Sequence, residues 1–292
     1  MSVIRVVSYN IHKGRSAMGG RDSLYDLRLG LYGLRPDLLF LQEVQGRNEH
    51  THILHAQHES LAAGLHLRAA YGRNAVRRRT DHGNALLSRF DIIDFENQDI
   101  SDHPLEQRGM LHARVEIDGR EVHCFVIHLG LFGGSRTRQI MALTERINRL
   151  VPADAPLLIA GDFNDWKDQL SPLFIDQLGV YEVFAHAPRG MGYSHAVRGR
   201  GLSPARLRES VNRLRSTLRG QSAAHLRKNQ LGMDGGSTAL PPPRTFPAAF
   251  PWFRLDRIYQ RGFAVRSARV LRGKPWTQYS DHAPLLAELE LP

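Results

Sequence analysis

Six short polar clusters lie at the ends of apolar runs in this chain, and their side chains are of the types that bind metal ions and phosphate groups. The clusters are Ser8-Tyr9-Asn10, Gln42-Glu43, His128, Gly161-Asp162-Phe163-Asn164, Leu255-Asp256-Arg257 and Ser280-Asp281-His282. The neighbouring runs are short and aliphatic, as buried strands are. Polar groups at the ends of several strands can meet at one edge of a sheet, where open α/β folds bind their ligands. A hard divalent cation and a phosphate ester both require such an edge. We therefore predict a metal-dependent phosphodiesterase or phosphatase.

The elements that must position these clusters are strands with a few helices between them. Predicted strands cover residues 3–9, 38–42, 85–88, 92–95, 110–117, 121–128, 157–160, 255–259, 264–271 and 284–291. Predicted helices cover residues 22–34, 49–63 and 135–150, the last with Ser135 as its N-cap. Asp118-Gly119 predicts a hairpin between two of the strands. The chain is thus predicted to be an α/β protein.

The polar clusters also show a weak internal symmetry. Asn10 and Glu43 end two strands 33 residues apart with a helix between them, and His128 and Asp162 repeat this arrangement at 34 residues. Two similar strand–helix–strand units would each deliver two polar groups to a shared edge. Duplication and chance spacing both account for this pattern.

Composition limits the class of protein and suggests an anionic partner. The 292 residues are enough for one large α/β domain or two small ones. The formal net charge of +10 favours contact with nucleic acid or a phospholipid surface. The sequence contains no run of 18 apolar residues, so we expect no transmembrane helix. Its first residues lack the pattern of a signal peptide, so none is expected. The single Cys124 excludes an intramolecular disulfide, and we expect a cytoplasmic protein with no obligate protein partner.

A basic insertion is predicted at residues 195–243. Residues 195–240 hold eight Arg and one Lys against Glu209 and Asp234, which gives this segment a net charge of +7. Residues 203–220 have an amphipathic pattern without aromatic side chains, and residues 232–243 are rich in Gly and Pro, as mobile linkers are. The amphipathic part could pack on the domain as a lid, lie on an anionic membrane or follow a nucleic-acid backbone.

Seven segments carry a resemblance to a known family. They are SYN at 8–10, LQEV at 41–44, GNALLS at 83–88, HL at 128–129, GDFN at 161–164, LDRIY at 255–259 and SDHAPL at 280–285. In this order they resemble the endonuclease/exonuclease/phosphatase superfamily, which includes exonuclease-III-like and deoxyribonuclease-I-like enzymes. The resemblance implies a four-layer α/β sandwich, two packed mixed β-sheets flanked by helices. It also implies one domain over residues 1–292 that carries the basic insertion.

The resemblance assigns a divalent cation to three residues. Glu43 would be the main ligand of Mg²⁺ or Mn²⁺, with Asn10 and Asp281 beside it or one water away. A carboxylate on a rigid strand end suits Mg²⁺, which takes one or two protein carboxylates and keeps several waters. In the alternative interpretation, Glu43 only caps a turn.

The proposed catalytic residues are His282, Asp256, Asp162, Asn164 and His128. His282 could accept a proton from water or contact a phosphoryl oxygen, while Asp256 holds its imidazole in one tautomer. Asp162 is the rival water-activating group, and Asn164 would donate a hydrogen bond to the transition state. Family members are interpreted in both ways, and we favour His282 as the base with Asp162 positioning the water.

Substrate contacts are predicted at the strand ends. His128 and Arg108 would contact phosphate, because the planar guanidinium matches phosphate oxygens. Asn84 would orient the substrate or support Glu43. The ordinary alternatives are a surface arginine at Arg108 and a turn-stabilising amide at Asn84.

The predicted reaction is in-line attack of an activated water on phosphorus. The charge favours a nuclease acting on DNA or RNA. One alternative is a phospholipid or other phosphoester hydrolase at an anionic membrane surface. A non-catalytic nucleic-acid-binding protein would leave the site incomplete, yet every key position is filled. His50, His52, His55 and His58 are interpreted as a solvated helix face, and Phe246, Phe250, Trp252 and Phe253 either line the site or pack in the interior.

Overall fold

The computed structural model describes residues 2–49, 56–104, 106–187 and 241–292. The strands in this part are β1 Ser2–Asn10, β2 Leu38–Asn48, β3 Arg68–Val76, β4 Thr80–Ser88, β5 Asp91–Asp99, β6 Gly109–Ile117, β7 Arg120–His128, β8 Leu157–Asp162, β9 Tyr181–Glu182, β10 Asp256–Arg261, β11 Ala264–Val270 and β12 Leu285–Leu291. The helices are α1 Leu24–Leu34, α2 Gln57–Leu65, α3 Gly133–Leu150, α4 Ser171–Leu178, α5 Val183–His186 and α6 Trp276–Tyr279, with one 3₁₀ turn at His12–Gly14.

Two mixed sheets of six strands form the centre of the fold. Their strand orders are β11-β12-β1-β2-β4-β3 for the first sheet and β5-β6-β7-β8-β10-β9 for the second. The pairs β1/β2 and β7/β8 are parallel, and the other strand pairs are antiparallel. The four-layer sandwich predicted from the sequence is confirmed.

Alternation along each strand decides which layer a side chain enters. On β1, Ile4 and Val6 face an apolar cluster shared by the two sheets, whereas Val7 and Tyr9 join a cluster that includes Leu27 and Leu31 of α1. The central strands are therefore buried on both faces, which is why they appear in the sequence as continuous apolar runs. A third cluster packs α3 and α4 on the second sheet. Cys124 is fully buried on β7.

The parallel pairs explain how the polar clusters come together. The units β1–α1–β2 and β7–α3–β8 have the same arrangement, with the first and last strands parallel and adjacent. Their register places Asn10 opposite Gln42 and His128 opposite Asp162. Two adjacent parallel strands end at the same edge of their sheet, so each unit presents its polar groups at one edge of its own sheet.

Several predicted boundaries differ from the structure. Helix α2 begins at Gln57, not at residue 49, and strand β4 begins at Thr80, five residues before the predicted start. Strand β3 and helix α4 were not predicted, because their apolar residues follow neither a clean two-residue nor a helical period. Ser135 is not the N-cap of α3: that position is Phe132, and the Ser135 hydroxyl donates to Asp102 Oδ2 at 2.7 Å.

Two predicted features lie outside the residues that the structure describes. They are residues 195–240 of the basic insertion, which include the amphipathic segment, and three of the clustered histidines, His50, His52 and His55. His58 lies on α2 and stacks on Tyr71, with ring centroids 4.2 Å apart. Among the described residues, the helices are all too short or too polar to cross a membrane.

A buried histidine pair makes the stability of the second sheet dependent on pH. His112 Nε2 lies 3.0 Å from His123 Nδ1, and the His112 ring stacks on Phe125. Burial, followed by the charges of His123 and Arg146, lowers the pKa of His112 to about 3. Below about pH 6.5, His112 binds a proton in the unfolded chain but stays neutral in the folded protein. The free energy of unfolding therefore decreases as the pH falls from about 6.5 towards 3.

Replacement of His112 should reveal this dependence. We expect His112→Leu to reduce the acid-side loss of unfolding free energy, by roughly 1–2 kcal/mol at about pH 5, as measured by urea unfolding at several pH values. His66→Asn, at an exposed left-handed position, is the control and should leave the slope unchanged. Equal slopes in wild-type and His112→Leu proteins would contradict the assignment.

Candidate active site

Asp162 is the centre of the polar edge. Its Oδ2 accepts a hydrogen bond from Asn10 Nδ2 at 3.2 Å and lies 3.6 Å from His128 Nε2 and 3.7 Å from His282 Nε2. Its Oδ1 accepts the backbone N–H of Asn164 at 3.0 Å. All five residues are buried. Predicted residues from four segments of the chain, and from both sheets, therefore meet at one carboxylate.

Gly161 allows β8 to approach β7 closely enough to place Asp162 there. Its φ is +150°, and a Cβ at this position would lie 1.9 Å from the carbonyl oxygen of Ile127. The next turn holds Asn164 at φ +50°, and Asn164 Nδ2 donates to the Leu129 carbonyl at 2.8 Å. This hydrogen bond fixes the loop after β8 to the loop after β7.

Gly161→Ala tests this close approach. We expect a loss of roughly 2–4 kcal/mol in unfolding free energy, because backbone must move away from the new methyl group. Gly179→Ala is the matched control: Gly179 also has positive φ (+60°), but nothing lies within 4 Å of its added Cβ. It should cost only about 1 kcal/mol. Equal losses in the two variants, measured by urea denaturation, would show that the contact with Ile127 is unimportant.

His282 and Asp256 form a buried pair beside Asp162. His282 Nδ1 and Asp256 Oδ2 are 2.9 Å apart, and the β8/β10 register places Asp256 directly opposite Asp162. Burial lowers the pKa of His282, but the charges of Asp256 and Asp162 outweigh it and raise the pKa to about 10. Burial and the charge of Asp256 raise the pKa of Asp162 to about 6, against the charge of His282. The arrangement is an imidazolium between two carboxylates.

Glu43 projects from an irregularity in β2. Leu41 pairs with Ala85 and Val44 pairs with Gly83, so Gln42 and Glu43 together face a single residue of β4, and Glu43 has φ +54°. Such a bulge re-aims a side chain. Burial raises the pKa of Glu43, but His128 and Lys13 outweigh it and lower the pKa to about 2. Lys13 Nζ forms an ion pair with Glu43 Oε2 at 2.8 Å. Burial lowers the pKa of His128 well below its ordinary value.

The sequence and the fold both resemble those of known proteins. The Endonuclease/Exonuclease/phosphatase family matches residues 7–282 of the chain. The chain belongs to this family. YbhP of Escherichia coli strain K12, an uncharacterized protein, is 34% identical over 296 residues, which cover 98% of this chain and 96% of YbhP.

Solved structures with low sequence identity share the fold. An endonuclease/exonuclease/phosphatase from Beutenbergia cavernae has a TM-score of 0.68 at 18% identity, covering 100% of this chain and 72% of that chain. Mannosyl-6-phosphatase Bt3783 of Bacteroides thetaiotaomicron has a TM-score of 0.61 at 18% identity, covering 98% and 99% of the two chains. Membership in the endonuclease/exonuclease/phosphatase family makes phosphoester hydrolysis the expected chemistry.

The donor set fits the divalent cation on which this family generally depends. Ligand atoms of Asp162, Asp256 and His282 lie within 4.8 Å of one another, an arrangement that could hold a metal ion. Hydrogen bonds already engage both Asp162 oxygens and Asp256 Oδ2, whereas Asp256 Oδ1 is buried without a partner. The ionised Glu43 carboxylate is held by a lysine that a cation could displace. Oxygen donors of this kind suit Mg²⁺ or Mn²⁺.

The remaining predicted residues have different surroundings. Asp281 Oδ1 lies 3.3 Å from Ser280 Oγ and 3.7 Å from His12 Nδ1. Arg108 is half-buried, and its Nη2 lies 3.6 Å from Glu106 Oε1. Burial is the main cause of the lowered pKa of His128, and the charge of Arg108 lowers this pKa further.

Asn84 fastens the two sheets together. It lies within β4, and its Nδ2 donates to the carbonyls of Gly109 at 2.9 Å and Val126 at 3.2 Å. The alternative interpretation of Asn84 as a turn residue is therefore wrong. Its Oδ1 is buried without a hydrogen-bond partner, so the predicted contact with substrate or with the surroundings of Glu43 would use that oxygen.

Two supporting residues were missed in the sequence. Thr245 Oγ1 accepts the backbone N–H of Asp256 at 3.3 Å, and Lys13 pairs with Glu43. Both lie outside strands, where no periodic pattern marks them. Phe246, which the sequence placed either at the site or in the interior, has its ring 4.9 Å from the His282 ring. Ser280 Oγ, which donates to the Asn10 carbonyl at 2.7 Å, could have been found from its place in the Ser280-Asp281-His282 cluster.

Proposed function

We propose that this protein hydrolyses phosphodiester bonds by in-line attack of an activated water with the help of Mg²⁺ or Mn²⁺. The observation that carries the proposal is the convergence of Asn10, His128 and His282 on one buried oxygen of Asp162. Carboxylate, amide and imidazole groups at one point can bind a phosphoryl group, orient water and move a proton.

Glu43, Asn10 and Asp281 would hold the cation. When bound, it neutralises charge on the phosphoryl oxygens and the leaving group. Glu43 is ionised over the whole neutral range and sits on a fixed strand bulge, as a ligand should.

Asp162 is the better candidate for the proton acceptor. The sequence favoured His282, but a charged imidazolium has no free lone pair with which to accept a proton. With Nδ1 held by Asp256, the Nε2–H of His282 is free to donate to a phosphoryl oxygen. Asp162 is ionised at neutral pH, and a pKa of about 6 is close to the value that suits a general base.

His128 and Arg108 would complete the phosphate contacts, and Asn164 would position water. His128 is neutral, so its Nε2–H can donate without adding charge. Arg108 would contribute the positive charge, and its Nε is buried without a hydrogen-bond partner. Asn164 is held by its amide to Leu129, which leaves its side-chain oxygen to position water.

Nucleic acid is the first candidate substrate, because the chain carries a net charge of +10. A phospholipid is the second, and a specific observation favours it: Phe250, Trp252 and Phe253, directly before β10, are exposed. The buried alternative considered for these three residues is wrong.

An assay panel tests the proposal. Supercoiled plasmid, single-stranded DNA, RNA, mixed phospholipid vesicles and bis-p-nitrophenyl phosphate are each incubated with Mg²⁺, Mn²⁺ or EDTA. We expect bis-p-nitrophenyl phosphate hydrolysis with either cation and none in EDTA. Plasmid nicking identifies the nuclease, and headgroup release without nicking identifies the lipid hydrolase. Full activity in EDTA, or inactivity on every substrate with both cations, would reject the proposal.

A further inference from the structure

Among the residues that the structure describes, six large apolar side chains are exposed on loops beside the candidate active site. Each has at least 40% of its surface exposed; they are Leu131, Phe132, Trp166, Phe250, Trp252 and Phe253, here called the aromatic rim. They lie on three loops that begin or end at site residues: one follows His128, one follows Asp162 and one precedes Asp256.

The aromatic rim is continuous with the catalytic imidazole. The Phe246 ring lies 4.9 Å from the His282 ring and 6.4 Å from the Phe253 ring, and Phe253 lies 6.4 Å from Trp166. Arg136 then joins Trp166 to the loop after β7. Its guanidinium lies 5.0 Å from the Trp166 ring centroid, and Arg136 Nη1 donates to the Leu131 carbonyl at 2.6 Å.

Exposure of this size on loops indicates an interaction surface. Apolar area left in water costs about 25 cal/mol per Å², and contiguous exposed apolar patches mark sites that bind proteins, membranes or ligands. Phe250 and Trp252 are the most exposed members, at 67% and 61%, and their rings lie 5.7 Å apart at the tip of a tight turn.

The charges beside the aromatic rim select an anionic partner. Lys167, Arg244 and Arg272 are exposed at its border, and Arg272 donates to the backbone carbonyl of Arg244 at 3.4 Å. The two acids in the same loops are engaged: Asp165 accepts from the Leu170 N–H, and Asp168 accepts from the Ser171 hydroxyl. Trp and Phe flanked by Lys and Arg are the side chains that anchor proteins at the headgroup layer of a bilayer.

Ring geometry distinguishes a membrane from a single-stranded nucleic acid. Bases stack on open, flat aromatic faces. Within the aromatic rim, the rings of the pairs Phe250–Trp252 and Trp166–Phe253 are inclined at 52° and 68°, and Arg136 covers one face of Trp166. The neighbouring Phe246 ring is inclined at 37° to Phe253. Inclined rings fill an irregular hydrocarbon boundary well, and they offer no flat platform to successive bases.

We propose that the aromatic rim docks on the headgroup layer of an anionic phospholipid bilayer and holds the opening of the active site at the membrane surface. This inference rests on the proposed function only for the identity of the bond that is hydrolysed at the membrane. Docking itself requires no hydrolysis.

Vesicle sedimentation in EDTA tests docking without catalysis. The protein is mixed with vesicles of phosphatidylcholine alone or of phosphatidylcholine with phosphatidylglycerol. We expect the wild-type protein to sediment with the anionic vesicles, and the double variant Phe250→Ser/Trp252→Ser to bind them about tenfold or more weakly. Phe95→Ser, which removes an exposed aromatic side chain (50%) from edge strand β5, away from the aromatic rim, is the control and should bind like wild type. Circular dichroism and thermal melting verify the folding of each variant.

A charge variant keeps the test decisive if the double variant does not fold. Lys167→Glu/Arg272→Glu should weaken binding to anionic vesicles. Its binding to vesicles of phosphatidylcholine alone, which we expect to be weak in the wild-type protein, should be unchanged. Unchanged anionic-vesicle binding in the folded variants would overturn the proposal. Binding of a fluorescent single-stranded DNA that is lost in Phe250→Ser/Trp252→Ser, without vesicle binding by wild type, would also overturn it and make the rim a base-binding surface. Vesicle binding by a wild-type protein that cannot hydrolyse bis-p-nitrophenyl phosphate would reject the proposed function and leave docking standing.

Discussion

Glu43→Gln should lower the cation-dependent hydrolysis of bis-p-nitrophenyl phosphate by about a thousandfold or more. The substitution keeps the size of the side chain and removes the ionised carboxylate that would bind the cation. A loss of this size corresponds to about 4 kcal/mol of transition-state stabilisation. It should be accompanied by weaker Mn²⁺ binding, measured by titration calorimetry on the protein without substrate.

Two comparisons make this prediction specific. Glu49→Gln removes a carboxylate just beyond the end of the same strand, where it pairs with Arg47 at the surface, and should leave both activity and Mn²⁺ binding unchanged. If Glu43→Gln bound Mn²⁺ as tightly as wild type, the cation would have to be held elsewhere, and the cluster of Asp162, Asp256 and His282 would be the next candidate.

Asp162→Asn should lower kcat by about a thousandfold with little change in KM. An amide at this position preserves the shape of the site but cannot take a proton from water. His282→Gln should cost less, about a hundredfold, because it removes a hydrogen-bond donor to the phosphoryl group and not the base. The reverse order, with the larger loss in His282→Gln, would restore His282 as the base.

The same Asp162 variant has an expected effect on stability. Because burial and Asp256 raise the pKa of Asp162, the folded state holds its ionised form at a cost, and a neutral amide removes that cost. The melting temperature of Asp162→Asn should therefore equal or exceed that of wild type at neutral pH. A catalytically dead variant of undiminished stability would separate a role in chemistry from a role in folding.

Part of the geometry of the candidate site follows from the order of the strands in the sequence. Asn10 ends a strand of one parallel pair, and His128 and Asp162 end the strands of the other, so each pair brings its polar ends to one edge of its own sheet. The order of apolar runs and polar clusters therefore predicts the meeting of His128 with Asp162, whereas the contact of Asn10 with Asp162 depends on how the two sheets pack.

Other features depend on contacts that no local pattern records. The bulge that aims Glu43 shifts the pairing of β2 with β4 by one residue, and only the partner strand defines it. Residues distant in sequence also determine three further features. These are the contact of His282 Nδ1 with Asp256, the exposure of Trp252 and the hydrogen bonds by which Asn84 joins the two sheets. The charge state of His282 follows from the charges of two carboxylates, and for this reason our proposal assigns proton acceptance to Asp162, whereas the sequence alone favoured His282.

The hydrogen bond from Asn10 to Asp162 spans the seam of the sandwich, since its donor ends a strand of one sheet and its acceptor ends a strand of the other. The candidate active site therefore requires both sheets. Heat, denaturant or a substitution that shifts one sheet along the other by about an ångström would separate Asn10 from Asp162, and we expect the proposed activity to fall before the protein unfolds. Loss of activity would then report the misalignment of the two sheets.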